Sequence, residues 1–345
     1  MNNEIIKWLL EENNPSVRYL TIKDLLGRKE NSFEIIKIKS QILYSPVITK
    51  IFANQDTKGY WLEKDSPYLP KYKAFYWTLM LLGQLGVDRN DARVEKASEY
   101  VFKYQHEEGG FVSHTSQNLV KQYNWRIRKN KKMPDFNVWV KDALRQQQLS
   151  CLTGNVCAAL IRLGYQDDVR VKKALDWLVK IQFQDGGWLC PYWSAHVKDK
   201  HGCFMGTICP LEAFSEIPAQ NRSQGMQVTI EKGAEFLLMH RLYRADHHNN
   251  KIINKGWLKL SFPWFYNYNV LRGLDILSKL GYTKDKRLDD AVKILSGKQQ
   301  KDGKWILENS PNGRMQTNIE SKGKPSKWIT LKALGILKRL GKITV

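Results

Sequence analysis

The sequence lacks any long hydrophobic run. Its 345 residues contain no stretch of about 18 or more apolar residues, which is the length that a transmembrane helix needs. The N-terminus, Met1-Asn2-Asn3-Glu4, also lacks the basic start and the apolar stretch that follows it in a signal peptide. These absences predict a cytoplasmic protein without a transmembrane helix.

Cysteines and acidic residues are both few. An odd number of cysteines, five in this chain, argues against a disulfide framework and leaves thiols or metal ligands. The 34 acidic residues are outnumbered by 55 basic ones, which gives a net charge of +21 and favours anionic partners. Much of this excess is lysine spread over the polar faces of helices, where solvation is the simpler explanation.

Basic residues are most concentrated in residues 117 to 132, which carry lysines and arginines, no acid, and the aromatic residues Tyr123 and Trp125. This composition fits an anionic membrane surface or a phosphate backbone, and it equally fits an inserted surface loop. We interpret residues 112–148 as a basic insertion between an outer and an inner helix. Nucleic acid is disfavoured as a partner, and no protein partner is indicated.

An internal repeat decides the architecture. Glutamine is followed four residues later by glycine and six residues later by an aromatic residue in four places, namely Gln55-Gly59-Trp61, Gln105-Gly109-Phe111, Gln182-Gly186-Trp188 and Gln299-Gly303-Trp305. Each copy follows a helix with apolar residues at helical spacing. The repeated unit is therefore one helix, a glycine turn and an aromatic residue.

A second series of helices lies between these turns, and most of its members stop at a glycine, which is a natural C-cap. The segment that begins Pro15-Ser16 reads like the segment that begins Pro325-Ser326, so we expect the two ends of the chain to meet. The pattern predicts an all-α fold of about six helical hairpins in one domain, residues 1–345. The more apolar helices should form the inner layer.

The Gln-x3-Gly-x-Trp spacing and this alternation resemble the α/α toroid of the squalene-hopene (terpenoid) cyclases and of the β subunits of protein prenyltransferases. The resemblance covers nearly the whole chain. It implies six inner and six outer helices around an apolar, aromatic-lined cavity that holds an isoprenoid chain. It also implies that the repeated glutamines and tryptophans are structural.

Potential metal ligands fall where inner helices are expected to begin: Cys151, Cys190, His201 and Cys203. Thiolate and imidazole ligands suit zinc. In the prenyltransferases, zinc is held by an Asp-x-Cys pair and a histidine, and Cys151 and His201 match that cysteine and histidine. Leu149 stands where the aspartate would be, so Cys190 or Cys203 would have to replace it. His196 is a weaker alternative.

Two acidic motifs of related enzymes are missing. The chain has neither the Asp-x-Asp-Asp acid of class II cyclases nor the DDxxD motif that binds magnesium. Magnesium is therefore not indicated, the missing acid argues against protonation of an alkene, and no catalytic residue is assigned. Cys157 and Cys209 are expected to be small buried residues. His240, His247 and His248, near a degenerate fourth turn, are expected in a surface loop.

Aromatic residues on the expected inner helices are candidates to contact a ligand, with core packing as the alternative for about half of them. The candidates are Tyr76, Trp77, Trp264, Tyr268 and Trp328. By resemblance to the prenyltransferases, Lys141 and Arg145 fall where basic residues bind a diphosphate.

The sequence thus favours a terpenoid cyclase- or prenyltransferase-like enzyme that binds an isoprenoid or other lipidic molecule, with zinc at the mouth of the cavity. The alternative is a toroid scaffold without catalysis that binds a lipid, a membrane or an acidic partner. Either protein would be cytoplasmic and could lie at the membrane periphery.

Overall fold

The computed structural model describes residues 3–29, 32–189, 198, 200–246 and 249–344. Within these ranges it is all-α, with no β-strand and only isolated β-bridges. This confirms the fold class. None of the described helices combines the length and the apolar character that crossing a bilayer requires.

The described helices follow one another along the whole chain. In chain order they are α1 (Asn3–Leu9), α2 (Pro15–Leu20), α3 (Phe33–Ile42), α4 (Pro46–Phe52), α5 (Phe75–Leu85), α6 (Ala92–Phe102), α7 (Ser116–Arg128), α8 (Phe136–Gln146), α9 (Ser150–Leu160), α10 (Val169–Lys180), α11 (Phe204–Ser215), α12 (Gln224–Met239), α13 (Val270–Lys279), α14 (Asp289–Gly297) and α15 (Lys327–Arg339). Helices α2 and α9 each continue into a π-helical turn, Thr21–Leu25 and Ile161–Tyr165.

Outer and inner helices alternate. Outer helices are amphipathic: α10 buries Val171, Leu175 and Leu178 on one face and exposes its lysines, as a 3.6-residue period requires. The inner helices, α2, α5, α9, α11, α13 and α15, are buried on nearly all sides. Small residues let their backbones approach closely. A Cβ on Gly154 of α9 would lie 2.4 Å from the carbonyl carbon of Cys209 in α11.

The inner helices from α5 to α15 contact one another in chain order. Helix α2 completes the series, because Gly86 at the end of α5 lies against Tyr19 of α2 and the last inner helix returns to α2. Helix α15 packs against α2 and its π-helical turn, and Lys338 Nζ lies 2.6 Å from the Leu25 carbonyl oxygen. The outer layer closes as well, because Gly303 packs against Ile5 of α1. Within the described residues, six outer–inner hairpins therefore close into an α/α toroid.

In three of the four repeated turns, the glutamine binds the turn to the next outer helix; the amide of Gln299 donates to the Gly303 carbonyl of its own turn. The side-chain amide of Gln182 donates to the Gly186 carbonyl and, at 2.8 Å, to the carbonyl of Thr229 in α12. The amides of Gln55 and Gln105 do the same toward α6 and α10. The glutamine thus satisfies carbonyls of two elements at once, and it fixes the angle between neighbouring hairpins.

The aromatic residue of the turn links the outer and inner helices of its own hairpin. The indole of Trp188 donates to the Leu178 carbonyl at the end of the outer helix, at 2.9 Å, and its backbone N–H donates to Thr207 Oγ1 in the inner helix. The same pair of hydrogen bonds recurs at Trp305, through the carbonyl of Leu295 and through Thr330 Oγ1. Both tryptophans are fully buried, so these donors need partners inside the protein.

The turn that follows α12 is the fourth in chain order and lies between the repeats of Gln182 and Gln299. It departs from the pattern of the four repeats, and we call it the fourth turn. Arg244 and Ile252 form the bridge that Gln55 and Trp61 form in the first turn, but they are eight residues apart rather than six. The glutamine position is therefore taken by an arginine, which faces Asp290 of α14 at 3.9 Å. The aromatic position is taken by Ile252, which is 40% exposed. This hairpin lacks the indole that anchors the turns of Trp61, Trp188 and Trp305.

Residues 112–148 contain two helices that leave the ring between α6 and α9. Helices α7 and α8 pack on each other through Tyr123, Phe136 and Trp139. Of the residues in these two helices, all of them described, only Leu119 is buried. The insertion is therefore a helical hairpin with a large exposed surface rather than a loop.

Candidate functional site

A pocket opens where the inner helices α9 and α11 begin. It has a volume of about 410 Å³, and its apolar lining includes Leu69, Leu149, Leu189 and Met205. Lys71 and Tyr266 reach it from the segments that precede α5 and α13. We call it the mouth pocket. Its volume lies within the range of small-molecule sites, about 300–1,000 Å³.

Two of the predicted metal ligands line this pocket. Cys151 is the second residue of α9, and Cys203 is the residue before α11. The N-terminal ends of both helices place partial positive charge beside these sulfurs, which favours a bound anion. Their convergence follows from the toroid, because successive inner helices begin at the same end.

The mouth pocket has a small polar side. Lys71 Nζ lies 4.6 Å from the centre of the Tyr266 ring, a cation–π contact, and 3.4 Å from the Tyr266 hydroxyl. His114 also lines the pocket. Burial lowers the pKa of His114, so its imidazole is neutral at neutral pH. Among the described lining residues no side chain is a carboxylic acid.

Beyond the pocket, the space between the inner helices is filled with ion pairs. Met205 in α11 lines the pocket, and Cys209, Glu212 and Glu216 follow it on the same face of the helix. Glu212 Oε2 lies 2.5 Å from Arg272 of α13, and Glu212 Oε1 lies 2.6 Å from Arg162. Arg272 is fully buried.

The ion pairs continue toward α15. Glu216 pairs with Lys279 at 3.3 Å, and Asp275 pairs with Lys279, Lys332 and Arg339. Burial by itself would raise the pKa of Asp275, but these three cations more than offset it and hold the pKa well below the ordinary value. The structure thus has an apolar pocket at the mouth and an ionic core beyond it. The family resemblance had implied an apolar, aromatic-lined cavity between the inner helices.

The predicted aromatic ligand contacts lie in the packed core. Trp77 donates to the Tyr68 carbonyl, and Trp328 stacks on Phe262 at 4.2 Å. The other three, Tyr76, Trp264 and Tyr268, are each no more than 4% exposed. Trp264 and Tyr268 also line a cavity of about 150 Å³ on the α13 side. Contact between any of these rings and a ligand stays a prediction.

The two predicted diphosphate residues lie on the insertion. Arg145 is mostly exposed and pairs with Glu108 at 2.9 Å. Lys141 lines a groove of about 680 Å³ between the insertion and the ring, together with Lys103 and the acidic residues Asp65 and Glu107. His114 lines both this insertion groove and the mouth pocket, so the two spaces are neighbours.

A group of three side chains able to bind a metal lies beside α11. The ligand atoms of His201, His240 and Asp246 are all within 4.8 Å of one another. His240 Nε2 lies 3.3 Å from Asp246 Oδ1. The sequence predicted a surface loop for His240, and this was wrong: the residue caps α12 and is 2% exposed, because Phe204 and Phe236 pack around its ring.

The structure therefore separates members of the predicted ligand set. Cys151 and Cys203 share the mouth pocket, while His201 groups with two residues that the set did not include. Cys190 and the alternative ligand His196 lie outside the described residues, so the four-residue set stays a prediction. Cys157 and Cys209 are fully buried, as expected, and burial raises the pKa of the Cys209 thiol to about 11.

No protein-family model matches the sequence, and no curated protein matches it either. Among solved structures, the type II terpene cyclase MstE from Scytonema is 14% identical, and the match covers 99% of this chain and 100% of that chain with a TM-score of 0.46. A variant of that cyclase in complex with geranylgeranyl dihydroxybenzoate is 16% identical, over 99% of this chain and 100% of that chain, with a TM-score of 0.46. A protein from Actinoplanes is 12% identical, over 96% and 90%, with a TM-score of 0.44. At these values the likeness has no bearing on activity.

Proposed function

We propose that the protein binds a lipidic small molecule of the isoprenoid class, with the apolar chain in the mouth pocket. The observation that carries the proposal is the pocket itself: about 410 Å³ of mainly apolar lining at the N-terminal ends of α9 and α11. Lys71 and the helix N-termini favour a ligand with an anionic head. The ionic core beyond the pocket limits how deep the chain can reach.

The chemistry of the lining favours a terpenoid-binding or prenyl-transferring protein over a cyclase that protonates an alkene. The titratable groups that line the pocket among the described residues are thiols, tyrosines, a lysine and a histidine. None of these is the strong acid that alkene protonation needs. Zinc belongs to this proposal, with His201 among its ligands.

Binding can be tested with farnesyl diphosphate and farnesol as probes, measured by native mass spectrometry and by quenching of tryptophan fluorescence. Met205→Trp adds an indole inside the pocket and should weaken binding of both probes at least tenfold, which is about 1.4 kcal/mol. Met239→Trp is the matched control, because Met239 is 42% exposed on an outer helix. Equal binding by both variants would show that the mouth pocket is not the site.

The role of the charged head can be tested with the same probes. Lys71→Met should weaken farnesyl diphosphate binding while leaving farnesol binding close to that of the unchanged protein, because only the diphosphate needs a cation. Farnesyl diphosphate binding by Lys141→Met tests whether the charged head extends into the insertion groove. A loss confined to Lys141→Met would place the head there and not beside Lys71.

The insertion favours the second candidate function, a scaffold that binds an anionic membrane surface. Trp125, Ile127 and Val138 are 49%, 48% and 58% exposed, and they lie among exposed lysines and arginines of α7, α8 and the turn between them. Apolar residues beside basic ones are typical of surfaces that lie in a lipid headgroup layer. Sedimentation with vesicles that contain phosphatidylserine tests this.

Trp125→Ala should reduce binding to the anionic vesicles. Salt at roughly 0.5 M, several times the physiological ionic strength, should reduce binding further because it screens the attraction between the basic residues and the lipid headgroups. Trp257→Ala is not a suitable control because Trp257 packs on Phe204; Val228→Ala on the exposed face of α12 is suitable. Equal sedimentation with neutral and anionic vesicles would argue against this candidate.

A further inference from the structure

The fourth turn of the ring brings three metal-binding side chains together from three places in the chain. His201 precedes α11, His240 caps the outer helix α12, and Asp246 follows in the lengthened turn. Their ligand atoms lie within 4.8 Å of one another. Two imidazoles and a carboxylate are a donor set that zinc accepts.

The orientation of both imidazoles is fixed by the backbone. Nδ1 of His240 lies 2.7 Å from the Phe236 carbonyl, and Nδ1 of His201 lies 2.8 Å from the Gly202 carbonyl. A carbonyl oxygen only accepts, so Nδ1 of each ring must carry the proton. Nε2 is then the atom that can bind a metal. Histidine ligands in metal sites are held by this kind of hydrogen bond from the other ring nitrogen.

The distance between His240 and Asp246 fits a shared ion. His240 Nε2 and Asp246 Oδ1 are 3.3 Å apart. Two ligands at the usual zinc distances of about 2.0–2.1 Å, set at a tetrahedral angle, are about 3.3–3.4 Å apart. The separation of these two atoms therefore matches that of two ligands of one zinc ion.

The surroundings of the three side chains are aromatic. The Phe236 ring centre lies 5.4 Å from that of His201 and 4.8 Å from that of His240, and the Phe204 ring lies 5.1 Å from His240. The Asp246 side chain is 16% exposed. A partly dry, apolar shell strengthens the attraction between a carboxylate and a cation.

The three side chains lie at the turn that lacks the anchoring indole of the tryptophan-containing turns. In the other turns that carry a tryptophan, the indole donates to a carbonyl ten residues earlier and anchors the turn. The fourth turn has Ile252 at that position and is longer. Asp246 lies in this turn, His240 lies just before it at the end of α12, and His201 precedes the adjacent inner helix.

We propose that His201, His240 and Asp246 bind one zinc ion, which ties the fourth turn to the start of α11 in place of the missing indole. This site takes two ligands that the predicted set of Cys151, Cys190, His201 and Cys203 does not contain. It takes up the zinc of the proposed function but does not depend on a ligand in the mouth pocket.

The test is the zinc content of the purified full chain after equilibration with zinc sulfate and removal of excess, measured by plasma mass spectrometry. The unchanged protein should hold one zinc ion. His240→Gln and Asp246→Asn should each weaken zinc binding by more than about 100-fold, beyond the usual effect of an outer-shell change. His106→Asn, in the corresponding region of the second turn, is the matched control and should keep the ion, as should Cys151→Ala/Cys203→Ala.

A second measurement needs no substitution. Cobalt(II) bound in place of zinc should give visible d–d absorption without the near-ultraviolet charge-transfer band that thiolate ligands produce. The proposal is overturned if the band is strong, if the double cysteine variant alone loses zinc, or if the unchanged protein binds none. Farnesol binding by the unchanged protein is measured separately, so failure of the zinc site and failure of the proposed function can be told apart.

Discussion

At the scale of single residues, the ionic core requires charged side chains to be buried away from water, and Arg272 is the clearest example. The guanidinium of Arg272 has no exposed surface and is held by Glu212, by Asn155 Oδ1 at 2.7 Å and by the Phe265 carbonyl at 2.5 Å. A buried charge is tolerated only when it is paired and hydrogen-bonded. Removal of one partner therefore costs more than the pair contributes by itself.

Glu212→Gln should lower the free energy of unfolding by about 3–5 kcal/mol, because it leaves Arg272 and Arg162 without their shared carboxylate. Burial alone would raise the pKa of Glu212, but Arg272 and Arg162 hold it below its ordinary value. Such a carboxylate stabilises the fold above the unfolded-state pKa, about 4.3, and this stabilisation is lost as the pH falls below that value.

Urea unfolding between neutral pH and about pH 3 checks both parts of this prediction. The unchanged protein should lose stability on acidification more steeply than Glu212→Gln does. Glu231→Gln, on the exposed face of α12, is the control and should change stability by less than about 0.5 kcal/mol. A Glu212→Gln protein as stable as the control would mean that the ionic core contributes little to stability.

At the scale of elements, the repeated turns join neighbouring hairpins through glycine as much as through glutamine. Gly186 has a φ of +87°, and a Cβ there would lie 2.3 Å from the Lys232 carbonyl oxygen in the next outer helix. Only glycine combines this backbone conformation with such a close approach. The glycine in the repeat is therefore a packing residue of the seam between hairpins.

Gly186→Ala should lower the free energy of unfolding by about 1–3 kcal/mol because of backbone strain alone. Displacement of α12 by the added methyl group should lower it further. Gly297→Ala is a suitable control, because nothing lies within 4 Å of its Cβ position and its φ is not in the left-handed range. It should be neutral or slightly stabilising, since alanine is the better helix former. Thermal unfolding of both variants gives the comparison, and equal melting temperatures would contradict it.

The turns also show what the sequence could and could not predict about this fold. The spacing of Gln182, Gly186 and Trp188 is local, so it predicted the hairpins and their order. The threonines that accept the aromatic backbone N–H, Thr153, Thr207 and Thr330, were missed, although each is the fourth residue of its inner helix. Their recurrence at one helical position was the available signal.

The candidate sites were harder to predict, because they depend on contacts between distant residues. Arg272 and Glu212 are 60 residues apart, and Glu212 is the one charged residue of α11, whose other residues are mostly apolar. His201 and His240 meet only because an outer helix ends beside the start of an inner one. The thiols of Cys151 and Cys203 were easier, because both fall at inner-helix starts.

At the scale of the whole molecule, the ring closes where its two ends meet. Ile5 of α1 packs on Gly303, and Lys327 of α15 binds Glu11 at 2.7 Å. The closing seam is therefore packed and ion-paired, although the amide of Gln299 bonds only within its own turn among the described contacts.

Ile5→Ala should lower the free energy of unfolding by about 2–5 kcal/mol, since Ile5 is 4% exposed and its loss leaves a cavity at the seam. Ile36→Ala removes the same atoms from a side chain that is 57% exposed and should change little. Urea unfolding of the two variants measures the difference. A small effect at Ile5 would mean that the ends meet without supporting each other.

Closure of the ring also constrains how such a chain can change in length. In an open array of repeats, one more unit lengthens the array and leaves the other units as they were. In a closed ring an added hairpin would require a new angle at every seam, including those set by Gln55, Gln105 and Gln182. Extra sequence is accommodated most easily between an outer helix and its inner partner, which is where α7 and α8 stand.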